Sequence, residues 1–513
     1  MAEPLPGSDR LPAPDRVAST GGAAGPTATR VPFDRRRLLR ALSEALGPDR
    51  VRSYPEDVIA YENDASVFRA LPDAVVFPVS TEEVAAVVRL CREHGAPLIP
   101  RGSGTGLAGG TVPLTGGILL VTARMNRILE IDLDSRLAVV QPGLVNLDLT
   151  RAVFDRGYFF APDPSSQVAC SLGGNVANNS GGVHTLSYGV TTNHVLGLTV
   201  VLPDGEIARL GAGAPDAPGL DLVGLFVGSE GTLGIVTEIT VRLMRRREAV
   251  RTFLAVFESV RAAGQTVSDL IAGGLVPQAL EMLDDVTIEA VEPAVGAGIP
   301  LDCGAALLIE LEGLADGLDD QEAVIRRVCA ANGARWVRSA DDPADRDRLW
   351  AARKGAFGAM GRLAPNFLVQ DAVVPRSRLP EVLDEIRAIA DRHGLRVANV
   401  FHAGDGNLHP NLLFDMRKPG EIQRVLAAGE EIVRLCIDAG GTISGEHGVG
   451  IEKNAYMEWL FSPETLDVMR AIKHAFDPQR LMNPEKLLPS PVSCAEFTVK
   501  RSPAELAEAG LWI

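Results

Sequence analysis

The stretch Arg101-Gly-Ser-Gly-Thr-Gly-Leu-Ala-Gly-Gly-Thr-Val-Pro-Leu-Thr-Gly-Gly117 follows a short strand predicted over 96–100. Gly104, Gly106 and Gly109 match the G-x-G-x-x-G spacing of a dinucleotide-binding turn, in which the third glycine opens a helix that faces a pyrophosphate. Here Pro113 and the Gly116-Gly117 pair come next, and they oppose a helix start. What remains is a glycine-dense loop whose bare N–H groups can form an anion-binding nest without a helix dipole. The loop therefore argues against a nicotinamide-type doubly wound fold.

The same texture recurs downstream. Ala161-Pro-Asp-Pro-Ser-Ser166 precedes Ser171-Leu-Gly-Gly-Asn-Val-Ala-Asn-Asn-Ser-Gly-Gly182, and Gly228-Ser-Glu-Gly-Thr-Leu-Gly-Ile-Val-Thr237 follows. Plain turns account for one such loop and poorly for three. Between them, from Arg35 to about Leu243, short β-rich runs alternate with helices. Val84, Val87, Val88 and Cys91 give one helix its apolar stripe, with Thr81-Glu82-Glu83 at its start and Gly95 at its end. Beyond Arg247 longer helices are predicted near 259–273, 318–332, 345–360, 378–393 and 419–438, between strands such as 305–310 and 397–401. The division expected is a disordered tail over 1–34, domains over 35–247 and 248–462, a C-terminal segment over 463–490, and a tail over 491–513.

At 513 residues the chain exceeds one hydrophobic core. Its net charge of −16 argues against a nucleic-acid partner, which needs cationic surface. The six cysteines contain no C-x-x-C, so no Fe–S or cysteine-zinc site is readable and a reduced cytoplasmic location is expected. Neither a signal peptide nor a run of 18 apolar residues is read, so any membrane association is expected to be peripheral or through a redox partner.

A second informative stretch is Phe401-His-Ala-Gly-Asp-Gly-Asn-Leu-His-Pro-Asn411. Asp405-Gly406 is a type I′ turn signal, which predicts a hairpin with His402 and His409 directly opposed and Asn411 beside them. Opposed side chains have Cβ atoms about 5 Å apart. With Glu446 of Gly445-Glu-His-Gly448 they form a His₂Glu set suited to a divalent metal, Zn²⁺ or Mn²⁺, that keeps a position open for substrate. His447 is left free as a base. His94, His393 and His474 fall near predicted helix ends, where they can cap carbonyls.

Pro100–Gly106, Asn175–Gly182, Gly228–Glu238, Gly404–His409, Ser444–Gly450 and Met482–Lys486 together resemble the FAD-linked oxidases of the vanillyl-alcohol oxidase and p-cresol methylhydroxylase superfamily. Within it the chain is similar to the flavin subunits of glycolate oxidases and the FAD-dependent D-lactate and D-2-hydroxyglutarate dehydrogenases. The resemblance spans about residues 45 to 488. It implies an α+β fold: a two-subdomain FAD-binding domain of the p-cresol methylhydroxylase type, an α+β substrate (cap) domain, and a C-terminal helical segment returning to the flavin. It also implies an FAD site built from Arg101, Gly102, Ser103, Gly104, Thr105, Gly106 and Gly109 at the pyrophosphate. Pro162, Ser166, Gly173, Gly174, Asn178, Ser180, Gly181, Gly182, Glu230, Gly231, Gly234, Ile235 and Val236 would line the rest, with Asn483 on the returning segment. Relatives that hold FAD covalently use a histidine in the first loop; this loop has none, so noncovalent FAD is expected.

The activity implied is oxidation of a 2-hydroxy acid, with hydride passing from Cα to flavin N5. Arg353, in Leu349-Trp-Ala-Ala-Arg-Lys-Gly-Ala-Phe357, matches the family's carboxylate-binding arginine, and Asn411 joins it as a substrate contact. The 2-hydroxyglutarate branch places Thr and Lys four and fifteen residues after that arginine. Phe357 and Leu368 stand there instead, which points to a monocarboxylate such as D-lactate or glycolate. Quinone, cytochrome, electron-transfer flavoprotein and an Fe–S subunit all remain open as redox partner, as does a homodimer. The family's ether-lipid synthases, which are non-redox, lack the Gly-Asp-Gly-Asn-Leu-His and Glu-His pairing.

Overall fold

The structure, a computed structural model, describes residues 31–490 except 212, 213 and 215–217. Most of the two predicted tails lies outside the described residues; 31–34 run without regular structure into the helix Arg35–Leu46.

Two larger sheets build the N-terminal half, beside a two-stranded one of Tyr158–Phe159 and Met244–Arg245. In the first, Ala74–Val76, Ile118–Val121 and Leu98–Arg101 pair in parallel, with Val51–Arg52 antiparallel at one edge. The helix Thr81–His94 packs on it through Val84, Ala85, Val87, Val88 and Cys91. Ser80 caps its first turn and Gly95 leaves it at φ +64°, the left-handed conformation that glycine adopts without steric cost. No helix forms between Arg101 and Ile118, so the sequence-based rejection of a dinucleotide turn holds. The second sheet is antiparallel, in the order Ile128–Asp132, Leu137–Val140, Ile235–Arg242, Val195–Val201, Ile207–Gly211.

The C-terminal half is organised by a nine-stranded sheet centred on Ala249–Phe257, Ala305–Gly313, Ala279–Asp284 and Arg396–His402. Both faces are buried. Phe253, Ala255, Phe257, Leu307 and Ile309 meet the helices Val260–Ala272, Leu318–Ala331, Leu379–Arg392 and Glu421–Asp438 on one side. Leu254, Val256, Ala306 and Leu308 meet the helices Asp285–Val295 and Pro343–Ala359 on the other. Because strand side chains alternate, Glu281 and Glu310 fall on this second face, where Arg353, Arg346 and Trp350 of helix Pro343–Ala359 reach them. The helix Asp285–Val295 was not predicted: its β-branched residues and internal Pro293 disfavour helix locally. Asp284 caps it with a 2.9 Å bond from the Thr287 N–H, and tertiary packing does the rest.

The halves are locked together near the site. Glu230 accepts N–H bonds from Val449 and Gly450 at 2.6 and 2.8 Å, and Asn178 Nδ2 donates to the His447 carbonyl at 3.0 Å. His184 sits between Asp163 of the first half and Glu310 of the second; burial alone would lower its pKa, but the two carboxylates raise it to about 10. After the helix Pro463–Phe476 the chain returns to the first sheet, where Leu98 bonds to Leu481 and Asn483.

Candidate active site

The three glycine loops converge on one cavity of about 600 Å³. Its wall includes Arg101, Gly102, Ser103, Gly104, Thr105, Gly106, Ser166, Gly173, Gly174, Asn178, Ser180, Glu230, Gly231, Gly234, Ile235 and Val236. Glycine is required sterically here: a Cβ on Gly102 would lie 2.2 Å from Ser171 Oγ, and Gly104 has φ +75°. The donors, glycine-bared backbone and volume fit a bound FAD. Five of the proposed contacts sit elsewhere. Gly109 packs against Ile451 and Phe68, Gly182 against Asp163, and Gly181 against Thr185 and Glu446. The Pro162 carbonyl accepts from Asn146, and Asn483 Nδ2 ties the Gly110 and Glu230 carbonyls together at 3.0 and 2.7 Å. These residues shape the loops behind the wall.

Cys170 is the cysteine on that wall, and burial raises its pKa, keeping it a poor nucleophile. With no histidine in the first loop, acid precipitation is expected to release all the flavin colour into the supernatant. Colour kept in the pellet would show a covalent link.

At the far end of the cavity stand Glu446 and His447, with His402 and His409 directly behind. The hairpin forms, but its turn has four residues, Ala403–Asp405 and Gly406, and its register differs from that expected by two positions. His402 pairs with Asn407, and Asn399 with Pro410, so His409 lies diagonal to His402 instead of opposite. A shift of two keeps both rings on one face. Their centroids are 5.2 Å apart. His402 Nε2 and His409 Nε2 lie 3.3 and 3.2 Å from the same oxygen, Glu446 Oε1, and all three donor atoms lie within 4.8 Å of one another. Burial alone would lower the His402 pKa, yet Glu281 and Glu446 hold it well above its ordinary value. Negative potential thus converges where a cation would sit, and the donor set fits a divalent ion.

Two carboxylates that sequence reasoning missed support this set. Glu281, the cross-strand neighbour of His402, holds its Nδ1 at 2.9 Å and is itself paired to Arg353 Nε at 2.6 Å. Such a carboxylate orients a metal-binding imidazole and raises its basicity. Glu281→Gln is expected to lower metal affinity about 10- to 100-fold, read by competition with a chromophoric chelator, with no change if the pair is only structural. Asp371 is fully buried and accepts from Ser444 Oγ and from the N–H groups of Gly445, Glu446 and His447, with Lys453 Nζ 3.3 Å away. It presents the Glu446-His447 pair. A second possible donor group, Asp371, His409 and His447, shares His409, but Asp371 is already committed to those donors. Neither carboxylate has a local signature; both are brought in by the sheet.

Two residues expected to contact the substrate have protein partners here. Arg353 is fully buried and does not line the cavity; its Nε is paired to Glu281, while Nη1 has no hydrogen-bond partner. Asn411 spends both amide hydrogens on the Ala398 and His409 carbonyls, which fixes the strand, while its Oδ1 is buried without a partner. Phe357, Phe367, Leu368, Phe414, Met416 and Leu426 line the apolar arm of the cavity, and Phe357 lies 6.3 Å from the His409 ring. Lys354 points to the outside over Trp350.

A profile of the FAD binding domain matches residues 72–211, and one of the FAD linked oxidases, C-terminal domain, matches residues 246–487. The chain belongs to the FAD-linked oxidase family and is a flavin-dependent oxidoreductase. Among its relatives, glycolate oxidase subunit GlcD of Escherichia coli (strain K12) is 46% identical over 465 residues, 90% of this chain and 93% of that one. D-lactate dehydrogenase of Anaerostipes hadrus is 35% identical, covering 82% of this chain and 90% of that one. The fold is shared with 4-ethylphenol oxidase from Gulosibacter chungangensis (TM-score 0.75, 24% identity, 89% and 97% covered) and with p-cresol methylhydroxylase (TM-score 0.74, 18% identity, 88% and 96% covered). No helix among the described residues is long and apolar enough to cross a membrane.

Proposed function

We propose that this protein oxidises a D-2-hydroxy acid with a single carboxylate, D-lactate or glycolate-like, to the 2-oxo acid. The observation that carries this is the convergence of His402 and His409 on one oxygen of Glu446, beside His447, at the end of a cavity whose other walls are the flavin loops. The names of the relatives, glycolate oxidase subunit and D-lactate dehydrogenase, support the same substrate class.

Bound FAD supplies the hydride acceptor. His402, His409 and Glu446 would hold a divalent ion, Zn²⁺ or Mn²⁺, which when bound would supply Lewis-acid polarisation of the substrate. The remaining work falls to side chains. Burial pulls His447 down to about 4, so its imidazole is uncharged at neutral pH and able to take the hydroxyl proton. Asp371 fixes the backbone that carries it. Arg353 steadies Glu281 and His402, and its unpaired Nη1 is a donor that the C1 carboxylate would satisfy. The apolar arm takes the substituent on Cα and, with flavin in place, excludes water.

The relatives named as subunits favour reading this chain as the flavin-bearing member of a complex, whose acceptor is a quinone, cytochrome, electron-transfer flavoprotein or Fe–S subunit. Anaerobic mixing of the isolated FAD-loaded chain with D-lactate or glycolate tests the first half-reaction without any acceptor. Bleaching of the flavin is expected. No bleaching by any 2-hydroxy acid would overturn the proposal.

A further inference from the structure

A second, smaller cavity of about 160 Å³ lies behind the metal-type site, between the two halves of the molecule. Gly181, Thr185 and Val190 of the flavin half form one wall, and Val373, Asp405, Asn407, Gly445 and Glu446 form the other. Among the described residues, Glu446 is the only one on the wall of both this chamber and the large cavity. Its Oε1 faces the two imidazoles, while its Oε2 is buried without a partner. Asn407 Oδ1 and Thr185 Oγ1 are likewise buried and unpartnered, and Asn407 is 5% exposed. Thr185 Oγ1 and Glu446 Oε2 flank one point, since a Cβ on Gly181 would lie 2.6 and 3.2 Å from them. Asp405 adds a carboxylate, one oxygen of which accepts the Asn407 N–H at 3.0 Å. Among the described residues, no Lys, Arg or His lines the chamber.

A lining of oxygen atoms with two carboxylates, and no basic residue, suits a hard hydrated cation and repels an anionic substrate. At about 30 Å³ per water the space holds roughly five waters, enough for an ion that has exchanged part of its shell for protein oxygens. Flavin and substrate bound in the large cavity would cover the approach to the histidines from that side. We propose that this chamber is a holding site and entry route through which a hydrated divalent cation reaches His402, His409 and Glu446 in the flavin-loaded enzyme. The ion first meets Asp405, Asn407, Thr185 and Glu446 Oε2, then passes to the inner set by way of the shared carboxylate. Gly181 keeps the passage free.

The inference rests on the metal reading above, and the test separates the two. FAD-loaded protein is stripped with a chelator and desalted, and uptake of added MnCl₂ is followed by loss of the free Mn²⁺ paramagnetic resonance signal. Asp405→Asn, which keeps the turn's acceptor oxygen, is expected to slow uptake about tenfold and flatten its salt dependence, with the final stoichiometry unchanged. Thr185→Leu, which fills the chamber, should slow both uptake and release. Uptake at the parental rate in both variants overturns the entry route while leaving the metal site standing. A parent that takes up no Mn²⁺ overturns the metal reading and the route with it.

Discussion

With His402 or His409 replaced by alanine, turnover is expected to fall by about 10³-fold or more while FAD stays fully bound. The two imidazoles and Glu446 stand on the C-terminal half, whereas the glycine loops that fit the flavin belong to the N-terminal half, so the losses separate. On the proposed mechanism, removing a ligand would leave the substrate hydroxyl unpolarised and would free the Glu446 carboxylate to swing from its place beside His447. General-base catalysis alone is worth typically about 10² to 10⁴, and loss of the ion forfeits part of that along with its own contribution. Metal analysis of each variant should show the ion lost, flavin absorbance should show the cofactor kept, and chelation of the parent should reproduce the same pair. Full turnover in a demonstrably metal-free sample would falsify the mechanism.

The second large effect concerns substrate choice. D-lactate, or a longer apolar D-2-hydroxy acid, is expected to exceed D-2-hydroxyglutarate in kcat/KM by about 10²-fold or more. Phe357 and Leu368 stand where a distal carboxylate would need partners, and Phe367, Phe414, Met416 and Leu426 continue the apolar surface. Arg101 is the only lysine or arginine on the cavity wall among the described residues, and it belongs to the glycine loop. Lys354 and Arg362, the nearest alternatives in sequence, are both exposed. Burying an unpaired carboxylate costs several kcal/mol, and about 1.4 kcal/mol is a factor of ten. Arg353→Ala should damage both substrates, through Glu281 and His402 as well as through the shared C1 carboxylate. Steady-state assays that rank 2-hydroxyglutarate first would mean that another cation enters the arm on binding.

Much of the site was legible because its signals are local. The start and stop of the helix Thr81–His94 are encoded in Ser80, Glu83 and Gly95, within one turn of each end. The Arg101–Gly110 loop announces itself through glycines that a side chain would block, and Pro113 with its neighbours rules out the helix that a dinucleotide turn needs. Period-two alternation puts His402 and His409 on one face even when the turn is misjudged, since an error of two positions preserves the face. The turn itself was misjudged because Asp-Gly is compatible with two-residue and four-residue connections. Here Gly406, at φ +83°, is the last of four turn residues, held by the Val374 N–H on its carbonyl.

The amino-acid sequence by itself determined the three glycine loops and the placing of His402 and His409 on one face, because each rests on residues a few positions apart. Only the tertiary structure decided what stands behind them. Glu281 meets His402 across neighbouring strands 121 residues apart, and Asp371 reaches the Glu446-His447 loop from about 75 residues away. The partners of other site residues are of the same kind: Arg353 Nε pairs with Glu281, Asn411 Nδ2 bonds to the Ala398 carbonyl, and Asn483 Nδ2 ties two loops. Those assignments depend on strand order and on which face each helix covers, and both are settled by the burial of apolar side chains over the whole sheet. A polar residue inherits its partner from that packing, and no local pattern records it.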